Sequence, residues 1–379
     1  MKRNEADLKL NGGRSIAVAI TTSPHLFTSH MEASIMTKIK PYIVLTALLF
    51  AVTILIPTLL VLPFSEEKAS GKLGEQLTKQ TEQTAVSQNP PTGPSVEVAV
   101  YRTSLQHMEK LPLENYVIGV VAAEMPADFE MEALKAQALT ARTYIVKQMV
   151  SQNKVGLPAG ADTADTELHQ VYKNDEELKR IWGADYNWKI KKVTDAVHQT
   201  AGQILTYNGQ PITATFFSTS NGYTENSEDY WSGSFPYLRS VQSPWDKRSP
   251  KFSDQKVFSI SDFENKLGVK LADKKSVGMI TERTSGKRVG KVKINGKELT
   301  GKEIREKLGL KSSDFSWIVK GDNIVINTKG YGHGVGMSQY GANGMATDGK
   351  NYQDIVKHYY QGVEISASDT MLAKITAQK

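Results

Sequence analysis

The chain contains no cysteine in its 379 residues. Disulfides, thiol nucleophiles and thiolate metal sites are therefore excluded, while the compartment is left open. Histidine is sparse: there are seven, none in an H-E-x-x-H pattern and none closely paired. That pattern gives no support to a preassembled zinc site, so no metal is expected. P-loop and G-x-S-x-G signatures are also missing, and no cofactor is expected. A Ser-His-Asp arrangement of Ser218 or Ser220 with His333 stays open, although no local motif favours it. The formal net charge of +6 comes without a base-reading motif, so nucleic acid is not an expected partner. What is present is a globular composition, 40% hydrophobic and 23% charged, with length enough for one large domain or two smaller ones.

Long apolar runs are confined to one place. Residues 41–64 carry no charge, Lys38 and Lys40 precede them, and Glu66 and Glu67 follow. As a helix this stretch would run about 36 Å, enough for a hydrocarbon core of about 30 Å. The charge asymmetry predicts a single-pass anchor in the cytoplasmic membrane, with 1–40 inside and the rest outside. A cleaved signal peptide is the alternative, but no small-x-small site follows directly. Residues 1–35 resemble neither a targeting signal nor a folded unit, and Met36 reads as the natural start. Residues 65–95, polar and ending in Pro and Gly, read as a flexible linker.

The folded part is organised around LPLENYVIGVVAAEMP, residues 111–126. An apolar helical run ends at Glu124, two residues before Pro126, which biases Met125 out of helical geometry. A carboxylate there faces the negative end of the helix dipole, and the uncharged run before it adds desolvation. Both favour the protonated acid, as general acid catalysis near neutral pH requires. The plainer alternative is a glutamate on a solvated last turn or paired with a nearby cation. No second acid to pair with Glu124 is identifiable.

Around this element, 96–102 alternates as a strand, and 130–149 predicts a helix with one buried stripe, Met131, Leu134, Ala138, Ala141, Ile145 and Met149. Gln137 and Arg142 flank that stripe, either as solvated edge residues or as holders of a polar substrate facing Glu124. Residues 176–181 and 187–199 read as helices, and 203–207 and 211–217 as strands joined by Asn208-Gly209. The polar, aromatic loop 218–231 follows a buried strand and suits hydroxyl-rich ligands; Tyr223, Tyr230, Trp231 and Trp245 offer stacking faces. Residues 250–325 read as an inserted subdomain with capping boxes at Ser261–Glu264 and Thr300–Glu303 and a hairpin at Asn295-Gly296. Residues 273–311 hold 12 Lys and Arg against 5 Asp and Glu, either a solvated basic face or an attraction to an anionic polymer or membrane. In 326–379, Gly330, Gly332, Gly334 and Gly336 fail the dinucleotide-loop spacing and predict close backbone approach. His333 between them is expected to present an accessible ring. A helix is predicted from Ser338 and another over 352–360.

In combination, LPLENYVIGVVAAEMP, ALKAQALTARTYIV (133–146), QVY (170–172), FFSTSNGYTENSEDYW (216–231) and GYGHGVGMSQYGANGMA (330–346) resemble the stage II sporulation protein D family of spore-forming bacteria, with which amidase-enhancer proteins share a domain. The resemblance covers about 95–365. It implies a membrane-anchored lytic transglycosylase that cuts peptidoglycan glycan strands between N-acetylmuramic acid and N-acetylglucosamine during engulfment. The domain would sit outside the mother-cell membrane, facing the forespore. Its substrate would be strands stripped of peptides by a sporulation cell-wall amidase, stage II sporulation protein P, among other engulfment membrane proteins. The family's acid in A-A-E-M-P falls on Glu124. Relatives that carry cysteines near QVY look metal-binding; Leu168 and His169 stand there in this chain, which puts a zinc site in doubt. Gln137, Arg142, Gln170, Tyr172, Ser218, Ser220, Asn221, Tyr223, His333, Gln339 and Tyr340 are the expected cleft residues. The alternative implied function is a non-catalytic glycan-binding module that docks and stimulates an amidase; a structural or adhesion protein would leave Glu124 unexplained. The expected fold is α+β, with helices on antiparallel sheet. A catalytic domain over 96–249 and 326–379 would be interrupted by the basic hairpin-helix insert 250–325.

Overall fold

The computed structural model describes residues 96–151, 156–273 and 275–378. All belong to one compact unit, Asn89–Lys379. The expected anchor over 41–64 and the linker lie outside the described residues; within these, no helix is long and apolar enough to cross a membrane.

Strand β1 (Glu97–Arg102) turns at Gln106, in left-handed conformation, and pairs antiparallel with β2 (His107–Pro112). Strand β2 was not expected between β1 and the helix: it carries no apolar alternation and its residues are exposed or half-buried. Helix α1 (Leu113–Glu124) follows Pro112, and α2 (Met131–Val150) follows the break at Pro126. Helix α2 is the centre of the molecule. The expected stripe is too narrow: Ala133, Ala136, Leu139, Thr140, Thr143 and Val146 are buried as well, while Met131 is only half-buried. Small alanine side chains let neighbours close in on every side, so one-sided amphipathicity was the wrong template.

Strand β3 (Thr163–Ala164) runs parallel to β1, and helices α3 (Asp175–Trp182) and α4 (Tyr186–His198) cover α1 and α2. Strands β4 (Gln203–Tyr207) and β5 (Gln210–Pro211) form the expected hairpin; Asn208 and Gly209 both have positive φ, as a type I′ turn requires. The predicted strand over 211–217 breaks. Thr213 N–H turns to the Tyr237 hydroxyl, and only β6 (Phe216–Phe217) is extended again.

The region expected to form the insert holds β7 (Ser253–Ser259), α5 (Ile260–Leu267), β8 (Met279–Arg283), β9 (Val289–Ile294), β10 (Lys297–Thr300), α6 (Gly301–Leu308) and β11 (Phe315–Lys320), with β12 (Asn323–Lys329) running across its expected end. Its sheets are ordered β10-β9-β8 and β11-β12-β7, and they enclose a second core around Phe263, Val292, Ile304, Phe315 and Ile326. The capping box at Thr300 forms in full. The one expected at Ser261 does not: Ser259 caps α5 instead, and Glu264 turns to the Leu271 N–H.

The chain returns through the glycine loop to β13 (Met337–Ser338), parallel to β6, then α7 (Gln339–Thr347), capped by Ser338, and α8 (Tyr352–Tyr359). Strand β14 (Glu364–Ala367) pairs with β4, and α9 (Asp369–Gln378) packs on α2. The class is thus α+β, but the expected antiparallel sheet is five small sheets among the described residues, two of the pairings parallel. The helical layer, not a sheet, is the platform.

Candidate active site

Glu124 is the last residue of α1. Met125 leaves the helix with φ −123° and ψ 135°, the extended geometry preferred before proline. Glu124 Oε1 accepts the Val171 N–H at 2.9 Å. Its carbonyl, an orphan acceptor of the helix end, takes Gln339 Nε2 at 3.0 Å from the first turn of α7. Burial pushes the Glu124 carboxyl up to about 7, opposed by the Val171 N–H and assisted by the negative charge of Glu167. Such a group is part protonated and part ionised at neutral pH, so it can give a proton and take one back in a single cycle.

The Val171 amide is held in place from behind. Tyr172 lies flat on α1 at Gly119, where an added Cβ would sit 2.3 Å from its ring. It stacks on Tyr116 at 5.6 Å, donates to Glu109 at 3.1 Å and lies under Arg102 at 5.0 Å. Arg102 is buried and gathers three carboxylates, Glu109, Asp165 and Glu177. Asp165 also accepts the Thr103 N–H at 2.7 Å, which ties the start of the loop to β1. The capping box of α3, Asn174 with Glu177, fixes its end.

Not all of the expected cleft residues meet Glu124. Gln339 does, through the backbone carbonyl, and Gln137 stands behind it, accepting from Gln339 Nε2 at 3.5 Å. Gln170 precedes Val171 and accepts from the Tyr116 hydroxyl at 3.0 Å. Tyr340 follows Gln339 and makes an edge contact with Phe129, 4.9 Å between centroids. Tyr172 is a positioning residue for Val171. Arg142 is neither solvated nor at the cleft: it is fully buried, forked onto Glu114 at 2.7 and 2.8 Å, and donates to the Val197 and Gln203 carbonyls and to Thr200.

The loop 218–231 turns out to serve the insert. Asn221 donates to the Gly286 carbonyl and to Asp314, both at 3.0 Å. Glu225 accepts from Thr284, Gly286 N–H and Arg288, and the Tyr223 carbonyl takes Arg288 at 3.2 Å. Arg305 reaches the Tyr230 hydroxyl at 2.7 Å, and Lys302 lies 4.7 Å from the Tyr230 ring. Part of the basic excess of 273–311 is therefore internal. Ser220 is buried on Asp246, while Ser218 is half-buried and its carbonyl takes the Tyr340 N–H at 3.0 Å. The His333 ring is half-buried rather than openly accessible: Phe217, Tyr230 and Trp231 lie against it at 5.2–5.7 Å. Its Nδ1 accepts the Val335 N–H and its Nε2 faces the Phe216 carbonyl, both at 3.1 Å, which defines the neutral Nε2–H form. Burial, with Arg305 and Arg288 nearby, drives its pKa down to about 3. The glycines around it do approach another strand: a Cβ at Gly332 would lie 2.7 Å from that of Phe217, and one at Gly336 2.1 Å from the Thr215 carbonyl.

Sequence reasoning missed Asp246. Buried in a 3-10 turn, it accepts from Ser220 N–H and Oγ, Ser243 Oγ and Ser338 Oγ. It thereby fixes the cap of α7, and with it Gln339. A lone Asp in PWDKR gives no warning of this. The Val171 N–H and Glu167 were missed as well; a backbone donor leaves no trace in residue types. Surface depressions of 880 Å³, lined by Gln203, Tyr352, Lys357 and Asp369 among others, and 430 Å³, near Glu264 and Lys297, lie elsewhere and do not include Glu124. Among the described residues no cluster of three or more His, Cys, Asp or Glu is arranged to hold a metal ion.

Residues 101–207 match the family model described as Stage II sporulation protein (SpoIID). The chain is 54% identical to Stage II sporulation protein D of Bacillus subtilis (strain 168) over 347 residues, 90% of this chain and 100% of that one. It is 52% identical to the protein of the same name from Bacillus amyloliquefaciens over 343 residues, again 90% and 100%. The Amidase enhancer of Bacillus subtilis (strain 168) is 32% identical over 303 residues, 66% of this chain and 40% of the relative.

Proposed function

The chain belongs to the stage II sporulation protein D family, and from that premise we propose that it is a lytic transglycosylase of the sporulating cell wall. Its substrate is the peptidoglycan glycan strand freed of stem peptides, cut between N-acetylmuramic acid and N-acetylglucosamine. The observation that carries this reading is Glu124, a helix-ending carboxyl held by one backbone N–H and raised by burial to about 7. Protonated Glu124 gives its proton to the glycosidic oxygen as the C1–O bond breaks and an oxocarbenium-like centre develops. The muramic C6 hydroxyl, already tethered to that centre, attacks C1 and loses its proton to the Glu124 carboxylate. The product is a 1,6-anhydro end. No water nucleophile enters, so no second carboxylate is required. The chain works from the outer face of the cytoplasmic membrane, anchored through 41–64, alongside an amidase that removes the peptides.

A second reading, a glycan-binding module that stimulates an amidase, is favoured by the likeness to the Amidase enhancer. Mass spectrometry of peptide-free strands incubated with wild type and Glu124→Gln separates the two. Anhydro-muramic ends from wild type alone support the transglycosylase. Reducing ends would make it a hydrolase, and binding without cleavage by either protein would favour the module.

A further inference from the structure

Two lysines and two tyrosines form a cluster at the start of α7 that the reaction above does not use. Tyr340 follows Gln339, whose amide holds the Glu124 carbonyl. Lys251 Nζ lies 5.8 Å from the Tyr340 ring and 5.7 Å from the Tyr331 ring. Lys311 Nζ lies 4.5 Å from the same Tyr331 ring. The lane thus runs from Phe129 through Tyr340 and Lys251 to Tyr331 and Lys311. Its backbone is pinned throughout. Tyr340 N–H donates to the Ser218 carbonyl, and Tyr331 exchanges both backbone bonds with Thr219. Gly330 N–H is held by the Phe252 carbonyl and Gly332 N–H by that of Lys311. The two lysines come from distant points in the sequence and approach one ring.

Several cations of the same region are held by carboxylates, and these two ammonium groups are not. Lys291 is paired with Glu282, Lys270 with Glu264 and Arg288 with Glu225. Among the described residues neither Lys251 nor Lys311 has a carboxylate within ion-pair distance, although Lys251 is exposed and Lys311 half-buried. Tyrosine faces suit the apolar faces of sugars, and cations fixed against them suit an anionic group on the same sugar.

We infer that Lys251 and Lys311 are specificity residues that read free carboxylates on the glycan, with Tyr331 and Tyr340 as the sugar platform. This rests on the proposed substrate: removing an amide-linked peptide from a muramic lactyl group leaves a carboxylate, whereas an intact stem leaves a neutral amide at that position. The lane then accounts for a choice between stripped and unstripped strands within the chain itself.

The test is binding by the full-length Glu124→Gln protein, which removes turnover. Two probes are titrated: peptide-free strands, and the same strands with their carboxylates converted to methylamides. The carboxylate form should bind about tenfold tighter, two partly exposed ion pairs each contributing a few-fold. The preference should shrink between about 0.05 and 0.5 M salt. Lys251→Gln with Lys311→Gln should bring the ratio near one, and Lys251→Arg with Lys311→Arg should restore it in an equally folded protein. Equal binding of the two probes by the parent, or an unchanged ratio in the double glutamine variant, would overturn the inference. Strand cleavage is scored separately on the wild-type active site. A preserved binding ratio without cleavage would sink the transglycosylase alone, and cleavage without a ratio would sink the lane alone.

Discussion

Glu124→Gln should make the protein more stable, and only above acidic pH. The carboxyl titrates at about 7 in the fold against 4.5 ordinarily. Below about pH 4 the folded and unfolded chains are both protonated there, and the residue has no pH-linked effect. Between 4.5 and 7 the unfolded chain ionises while the fold still holds the proton, so stability falls as pH rises. Above 7 both are ionised and the full penalty is present. At ~1.4 kcal/mol per pH unit it amounts to roughly 3 kcal/mol. Glutamine keeps the acceptor for the Val171 N–H but not its charge, which gives back about 1 kcal/mol. The net gain should be about 2 kcal/mol at pH 8, or several degrees in Tm for a unit of this size. At pH 4 the variant should instead equal or trail wild type. Urea denaturation of both proteins across that range measures the difference directly, because all other titrations cancel. A difference that stays flat with pH, or a variant less stable at pH 8, would refute a half-buried, proton-holding Glu124.

Strand cleavage by wild type should fall above pH 7, approaching tenfold per pH unit as Glu124 loses its proton; a rate flat to about pH 9 would point to another acid. Gly334→Ala should destabilise by more than ~3 kcal/mol in urea denaturation. Its methyl would sit 2.5 Å from Arg288 Cζ at a φ of +93°, against a buried ion pair; a loss under ~1 kcal/mol would show that the pair can shift. Asp246→Ala strips the acceptor from four donors and should cost about 3 kcal/mol, read as a lowered Tm. Unchanged stability would deny its role as the anchor of α7.

Local rules reached much of this structure. Proline at 126 ended α1 on Glu124, two Asn-Gly turns made hairpins, and Thr300 capped its helix. Each outcome depends on neighbours in the chain. The failures have a common cause in tertiary burial. Arg142 flanks the expected stripe on α2 but points to Glu114, because α2 is enclosed on every side. His333 sits between glycines that suggest openness, yet those glycines draw strands inward until aromatic rings crowd it and leave it half-buried. The loop 218–231 has the residue types of a sugar site, and its hydrogen-bonding groups are taken up by Gly286, Arg288, Asp314 and Arg305. Hydrogen-bonding capacity was legible there; which partner would claim it was not.

The same burial explains why a single carboxylate can suffice for the proposed chemistry. Glu124 belongs to α1, yet each group that sets its position or charge arrives from elsewhere: Val171 and Glu167 from the loop after β3, Gln339 from α7. Each of those has its own anchor, Tyr172 on Gly119 for the loop and Asp246 on Ser338 for the helix. Isolated buried charges lower stability unless well partnered, and Asp246 has four donors while Arg102 has three carboxylates. Glu124 has one carboxylate hydrogen bond and no cation among the described residues. Asp246 and Arg102 are well partnered, and the candidate catalytic group is left short. That shortage keeps the proton on Glu124 near neutrality, and it makes the carboxyl rather than its supports the group that responds to a substrate oxygen.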